Sequence, residues 1–258
     1  MQIHPIESRI SDNWFYLLAD DDGDDGVLID PVDAPTALRV AGELGIVVSR
    51  VVNTHWHPDH TSGNGEVLQA TGAELYVPEQ EQSLIEGDAE LLRAGDVLEV
   101  GDDKGEVLLT PGHTHGHISL HFGNRLFSGD GIFVGGAGNC YTGCPKVLYR
   151  TFRDVFGSMP DEVVFYPGHD YAVRNLEFCL SVDPENTAAG LGLNRHSGKG
   201  LCLTTLGDER RYNPFFRSDD HDLQSRIRGA YPDIWDGADA QTAAERTFVV
   251  LRALRNKW

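Results

Sequence analysis

The reading of the chain turns on residues 51–60, Val51-Val52-Asn53-Thr54-His55-Trp56-His57-Pro58-Asp59-His60. An apolar, β-branched run breaks off into three histidines and an aspartate within six positions. Side chains alternate along an extended segment, so His55 and His57 point the same way and can grip one ion. Asp59 and His60 follow Pro58, where the chain must bend, and can face a second ion beside the first. Neutral imidazoles and a carboxylate suit zinc, iron or manganese. A loop that merely happens to be rich in histidine would not gather four chelating groups at a strand end, so the stretch reads as a metal site.

Working outward, 258 residues with a hydrophobic fraction of 40% suit one large or two moderate globular domains with ample core. No apolar run approaches the ~20 residues that a membrane span needs. Met1-Gln2-Ile3-His4-Pro5 shows no basic patch followed by an apolar core, so a cytoplasmic location is expected. The net charge of -19 repels nucleic acid and anionic membrane surfaces and excludes both as partners. The oligomeric state is left open. Lysine occurs only at Lys104, Lys146, Lys199 and Lys257, while aspartate is abundant. Such a surface resembles those of salt-loving organisms, because at molar salt a Debye length of about 3 Å screens self-repulsion. A halophilic protein is therefore expected. Cys140, Cys144, Cys179 and Cys202 form no disulfide ladder, and idle thiols are expected over a small metal or redox pair at Cys140 and Cys144.

Residues 14–18 and 27–29 read as strands joined by the turn Asp20–Gly26. A calcium loop starting at Asp21 would place Val32 where a bidentate Glu is needed, so the turn is a solvated hairpin tip. Leu38, Ala41 and Leu44 mark a helix over 34–44 that Gly45 ends. The strand at 50–53 delivers the histidines. A helix from about His60 to Ala70, with Val67 and Leu68 inward, and a strand around Glu74–Val77 continue the rhythm, which implies helices packed on a sheet. Strands at 97–100, 106–110, 118–122 and 125–128 follow. Residues after His169 turn helical, with Val173, Leu176 and Leu180 on one face. A long polar connection over 190–213, a helix near 219–230 and a last one near 240–255, aligning Ala244, Phe248 and Leu251, complete the chain. Two domains are expected, 1–170 and a small helical one over 171–258.

The same grammar of apolar strand, small residue and chelator recurs at Thr110-Pro111-Gly112-His113, Phe127-Ser128-Gly129-Asp130 and Tyr166-Pro167-Gly168-His169. The candidate ligands are then His55, His57, Asp59, His60, His113, Asp130 and His169. Seven groups are too many for one ion and suit two ions sharing a carboxylate. Such a pair clamps the attacking and the substrate oxygen and lowers the pKa of water to about 7. Hydrolysis is the chemistry expected. His117 is read as packing or hydrogen-bonding behind the metal loop. His115 reads as a rim residue, and His4, His121, His196 and His221 as surface or core.

T-H-W-H-P-D-H, T-P-G-H-T-H-G-H, F-S-G-D and Y-P-G-H-D-Y, in this order, resemble the metallo-β-lactamase fold superfamily, an αβ/βα sandwich of the α/β class. Residues 204–217, Thr-Thr-Leu-Gly-Asp-Glu-Arg-Arg-Tyr-Asn-Pro-Phe-Phe-Arg, resemble the C-terminal signature of the glyoxalase II (hydroxyacylglutathione hydrolase) family, as does Gly168-His169-Asp170-Tyr171 followed by Asn175-Leu176-Glu177-Phe178. The resemblance covers essentially the whole chain. It implies that His55, His57 and His113 hold the first metal, that Asp59, His60 and His169 hold the second, and that Asp130 bridges them. The implied cofactors are two divalent ions, zinc, iron or manganese. The implied reaction is hydrolysis of S-2-hydroxyacyl-glutathione, a small-molecule thioester from methylglyoxal detoxification, by a hydroxide that Asp59 orients. The thiol leaves as thiolate, helped by a pKa near about 8.5.

Tyr141 and Tyr171 match positions that contact the thiol carrier in the family, and Arg217 matches a basic residue that grips the glycine carboxylate. Asn139 stands where the family usually has lysine, and Ser218-Asp219-Asp220 follows Arg217 where another cation is usual. A carrier other than glutathione, such as γ-glutamylcysteine, which lacks the terminal glycine, is therefore expected. The main alternative is a persulfide dioxygenase with a mononuclear iron site at His55, His113 and Asp130, a family that generally lacks the helical tail. A tRNA-processing phosphodiesterase is opposed by the acidic surface, and a class B β-lactamase by Asp130 standing where a cysteine is expected. A flavodiiron reductase would need a flavin domain. An inactive binding module would be expected to lack ligands, and none is missing.

Overall fold

The computed structural model describes every residue except Lys199. By contacts the described residues form two compact units, and neither is one stretch of chain. The first comprises Met1–Thr110, Thr114–Gly129 and Tyr166–His169; the second comprises Pro111–His113, Asp130–Phe165 and Asp170–Trp258.

In the first unit, β1 (Gln2–Glu7), β2 (Trp14–Ala19), β3 (Gly26–Ile29), β4 (Val48–Val52), β5 (Glu74–Pro78) and β6 (Ala89–Leu92) form one sheet in chain order. The pairs β1–β2 and β2–β3 are antiparallel, and β3–β4, β4–β5 and β5–β6 parallel. Parallel neighbours need a crossover. Helix α1 (Ala34–Leu44) makes the first, with Asp33 accepting from Thr36 N–H at its start and Gly45 at φ 69° closing it. Its buried face is Ala34, Thr36, Ala37 and Ala41, and Leu44 is exposed, so alanines rather than leucines let this helix lie close on the strands. The single helix expected after His60 is two, α2 (Pro58–Thr61) and α3 (Asn64–Thr71). Gly63 separates them. A Cβ there would lie 1.9 Å from the Pro31 carbonyl oxygen, so the chain can only pass as glycine.

A second sheet carries β7 (Val97–Val100), β8 (Asp103–Leu109), β9 (Ile118–Phe122) and β10 (Arg125–Gly129), with the strand Val164–Pro167 beside β10. The unbroken apolar run of β2 follows from burial on both faces. Phe15, Leu17 and Ala19 join the core formed with α1 and Val67 of α3. Tyr16 points the other way, its ring 5.4 Å from Phe127 and 5.6 Å from Tyr166. This is the layered α/β sandwich expected. Strands β1 and β6 lay outside the sequence reading, because Pro5 and the charged flanks of Ala89–Leu92 hide them.

In the second unit, α4 (Pro145–Arg150), α5 (Ala172–Val182), α6 (Thr187–Arg195), α7 (Leu206–Tyr212), α8 (His221–Ala230), α9 (Pro232–Gly237) and α10 (Ala243–Arg255) dominate. The connection expected over 190–213 is largely helical in α6 and α7, apart from Lys199, which lies outside the described residues. Capping by Asn186 and Thr205 starts both helices despite the glycines. Helix α5 buries Ala172, Asn175, Leu176, Phe178, Cys179 and Val182 and leaves Val173 exposed, a face rotated from the one expected. Phe152, Phe215 and Phe248 meet edge to face or tilted, with Phe248 5.2 Å from Phe152 and 5.0 Å from Phe215. Glu209, fully buried, accepts from Tyr212 hydroxyl at 2.7 Å, Asn213 amide at 2.7 Å and Gly135 N–H at 3.0 Å. All four cysteines are free thiols.

Candidate metal centre

The carboxyl ends of parallel strands are where open α/β sheets place their chemistry. Strand β3 ends in Asp30 and β4 in the histidine stretch. Asp30 has φ 53°, a conformation that costs a non-glycine residue about 1–3 kcal/mol but that Asp tolerates better than most. Its carboxylate accepts from Thr54 N–H at 2.7 Å, from the Thr54 hydroxyl at 2.6 Å and from His60 Nδ1 at 3.0 Å. Asp30 is 4% exposed, so these charge-assisted bonds act with little competition from water.

The hydrogen-bond chain fixes ring tautomers. A carboxylate only accepts, so His60 carries its proton on Nδ1 and turns Nε2 away from Asp30. Thr54 spends its one hydroxyl proton on Asp30, so its oxygen accepts from His55 Nδ1 at 3.0 Å. The His55 Nε2 lone pair then faces His57 Nδ1, 3.1 Å away. His117, fully buried, bonds Thr110 Oγ1 through Nδ1 at 2.8 Å and packs its ring 5.1 Å from that of His55. That is the supporting place expected for it. Gly129 permits this packing, since a Cβ there would lie 2.4 Å from Thr54 Oγ1 and 2.8 Å from His117 Nε2.

A second group forms from Asp59, His60 and His169, whose ligand atoms all lie within 4.8 Å of one another. Asp59 Oδ2 is 3.4 Å from His169 Nε2 and 3.9 Å from His60 Nε2. An ion with bonds of about 2.1 Å would hold its ligand atoms roughly 3–4 Å apart, which is this spacing. The far nitrogen of His169 lies 3.3 Å from Asp12 Oδ1, so both rings present Nε2 to the same point. Asn13 Nδ2 sits at that point's rim, 3.2 Å from His169 Nε2, 3.4 Å from His60 Nε2 and 3.5 Å from Asp59 Oδ2. The donor set, imidazoles with one carboxylate, fits a divalent ion.

Five of the seven candidate ligands thus stand in the first unit: His55, His57, Asp59, His60 and His169. His113 and Asp130 stand in the second, with His113 Nε2 3.6 Å from Asp130 Oδ2. His113 Nδ1 donates to the Asn139 carbonyl at 2.8 Å, so the backbone of Asn139 sets the His113 tautomer. Of the expected substrate contacts, Tyr141 is 74% exposed and open to a ligand. Tyr171 packs its ring 5.3 Å from Phe133. The two terminal nitrogens of Arg217 bond Asp183 Oδ2 and Asp220 Oδ2, both at 2.7 Å, so carboxylates of its own unit face its fork. Asp220, taken in the sequence as a lost cation, is its partner. Asp12, Asn13 and Asp30 went unread, because each meets its histidine across 30 or more residues and no local spacing marks them.

Residues 11–169 match the metallo-β-lactamase superfamily, and residues 170–258 match the hydroxyacylglutathione hydrolase C-terminus. A hydroxyacylglutathione hydrolase of Polaromonas sp. is 39% identical over 254 residues, covering 95% of both chains. One from Nitrosococcus oceani is 36% identical over 254 residues, again 95% of both. Among solved structures, ETHE1 from Myxococcus xanthus is 30% identical with a TM-score of 0.67, over 83% of this chain and 84% of that one. The fold, the donor set and a likeness that runs through the helical tail lead to one assignment: the chain is a metal-dependent thioester hydrolase belonging to the hydroxyacylglutathione hydrolase family of the metallo-β-lactamase superfamily.

Proposed function

We propose that the chain hydrolyses S-2-hydroxyacyl-glutathione or the same ester of a related small thiol, using two divalent ions. His55, His57 and His113 would hold one, Asp59, His60 and His169 the other, and Asp130 both. Zinc, iron and manganese all suit these donors. His113 and Asp130 are each within three residues, along the chain, of a segment of the first unit, which supports their inclusion. Ions held there acidify water and polarise a carbonyl oxygen. The catalytic part is residues 1–170, and residues 171–258 serve the substrate.

The remaining work falls to the protein. Asp59, its side chain 47% exposed, orients the attacking water and takes up its hydrogen bond. Asp30 and the Asn139 carbonyl hold His60 and His113 in one tautomer each. Tyr141 and Tyr171 contact the thiol carrier, as does Asn139. Water adds its oxygen to the acyl carbon and gives up its protons to solvent, the carbon–sulfur bond breaks to leave a carboxylate, and the thiol departs as thiolate before taking a proton from solvent.

The observation that carries this reading is the match of residues 170–258 to the hydrolase C-terminus, a part that the persulfide dioxygenase alternative does not require. Among the described residues no helix is long and apolar enough to cross a membrane. The test compares metal-loaded protein on S-D-lactoylglutathione, on the lactoyl ester of γ-glutamylcysteine and on glutathione persulfide. Thiol release from the esters supports the hydrolase. Oxygen uptake with the persulfide, and intact esters, would replace it with the dioxygenase.

A further inference from the structure

Glu81 lies in a 3₁₀ turn, Glu79–Leu84, directly after β5, and is 1% exposed. A carboxylate buried this deeply is costly unless its oxygens are bonded. Both are. Oε2 accepts from the Trp56 N–H at 2.8 Å and Oε1 from the Gly116 N–H at 2.7 Å. Trp56 separates His55 from His57, and Gly116 precedes His117, whose ring packs on His55. One side chain therefore ties the backbone between two candidate ligands to the segment that supports one of them. A neighbouring tie, Ile118 N–H to the Thr54 carbonyl at 2.9 Å, joins the same two segments and leaves Trp56 itself to Glu81.

We infer that Glu81 is a positioning residue for the first ion, its carboxylate holding the 55–57 backbone so that His55 Nε2 and His57 Nδ1 stay converged. This rests on the ligand assignment proposed above. Glu81 touches neither ion nor substrate and acts through backbone N–H groups. Both bonds of Glu81 go to the backbone on the His55–His57 side, whereas His60 is held directly by Asp30, so Glu81 affects the two ions unequally. Glutamine in its place keeps one acceptor and sets an NH2 against the other N–H, which drives that segment away.

The test measures zinc affinity by chelator competition on full-length wild type, Glu81→Gln and His169→Ala, with thermal unfolding of each metal-depleted protein. Outer partners of metal ligands typically change affinity by about 10–100-fold. Glu81→Gln is expected to weaken one of two ions by that factor and leave the other within about twofold. His169→Ala identifies the unaffected ion as the second. A Glu81→Gln protein that unfolds earlier yet binds both ions as wild type does would reduce Glu81 to a structural role and overturn the inference. Wild type binding only one ion would instead sink the two-ion assignment, and this inference with it. Should Glu81→Gln fail to fold, amide exchange in metal-depleted wild type decides. Slow exchange at Trp56 and Gly116 supports a clamp in place before the ion, and fast exchange at both refutes it.

Discussion

Replacing Asp30 by asparagine probes how far one carboxylate governs the centre. Asparagine tolerates φ 53° as aspartate does, so backbone strain is nearly unchanged and the effect isolates the hydrogen bonds. Three donors point at the carboxylate, from Thr54 N–H, the Thr54 hydroxyl and His60 Nδ1. An amide has only one accepting oxygen, so a choice is forced. With the NH2 facing Thr54 N–H, a charge-assisted bond is lost and stability falls by about 2 kcal/mol. With the NH2 facing His60, the Thr54 hydroxyl can rotate, but His60 Nδ1 must become an acceptor. Its proton then moves to Nε2, which can no longer bind an ion. Either way the affinity of the His60 ion is expected to fall by about 10–100-fold, or about 1.4–2.7 kcal/mol. Chelator competition reads the affinity, and nitrogen NMR of the His60 ring in metal-depleted protein reads the tautomer. Asp30→Asn with both ions at wild-type affinity and Nδ1 still protonated would refute the reasoning.

Asp59→Asn, assayed at saturating metal on S-D-lactoylglutathione, is expected to cost roughly 10²–10⁴ in kcat with little change in KM; an unchanged kcat removes Asp59 from water orientation. Arg217→Met leaves two carboxylates facing each other and is expected to lower stability by about 2 kcal/mol with KM unaltered, and a raised KM at normal stability would return Arg217 to the substrate. Burial pushes the Glu209 carboxyl up to about 8 from an ordinary 4.5. The folded chain thus keeps a proton that the unfolded chain has released across that window, so this contribution to stability is full below about pH 4.5 and is lost as pH rises through about 8. Denaturant midpoints of wild type are expected to drop more between pH 5 and pH 9 than those of Glu209→Gln; parallel curves would show the carboxyl to be ionised throughout. With a net charge of -19, unfolding is expected to be harder in molar salt than in dilute buffer, and equal midpoints would end the halophilic reading.

Much of this was legible because the informative residues are neighbours in sequence. His55, His57, Asp59 and His60 crowd into one turn, and the strand-end motifs around His113, Asp130 and His169 repeat one pattern. The sandwich follows from β-branched runs at regular intervals. What escaped depends on distance. Asp30 escaped, since its link to His60 spans 30 residues. The bonds of Arg217 to Asp183 and Asp220 were not legible, because a basic residue in a family motif looks alike whether it faces a substrate or a carboxylate of its own chain. The face of α5 was misjudged because Phe178 and Cys179 bury where alternation with Val173 suggested solvent. Helices α6 and α7 were obscured by glycines that Asn186 and Thr205 offset as caps.

The aromatic cluster has an engineering consequence. Phe152 comes from the middle of the chain, while Phe215 and Phe248 come from its last fifty residues, and all three share one compact unit. A protein ended after residue 170 would strip Phe215 and Phe248 from Phe152 and leave that ring uncovered. Trimming the helical tail to make a minimal enzyme should therefore yield insoluble material rather than a smaller catalyst, and swapping tails between relatives calls for exchanging residues 130–165 as well.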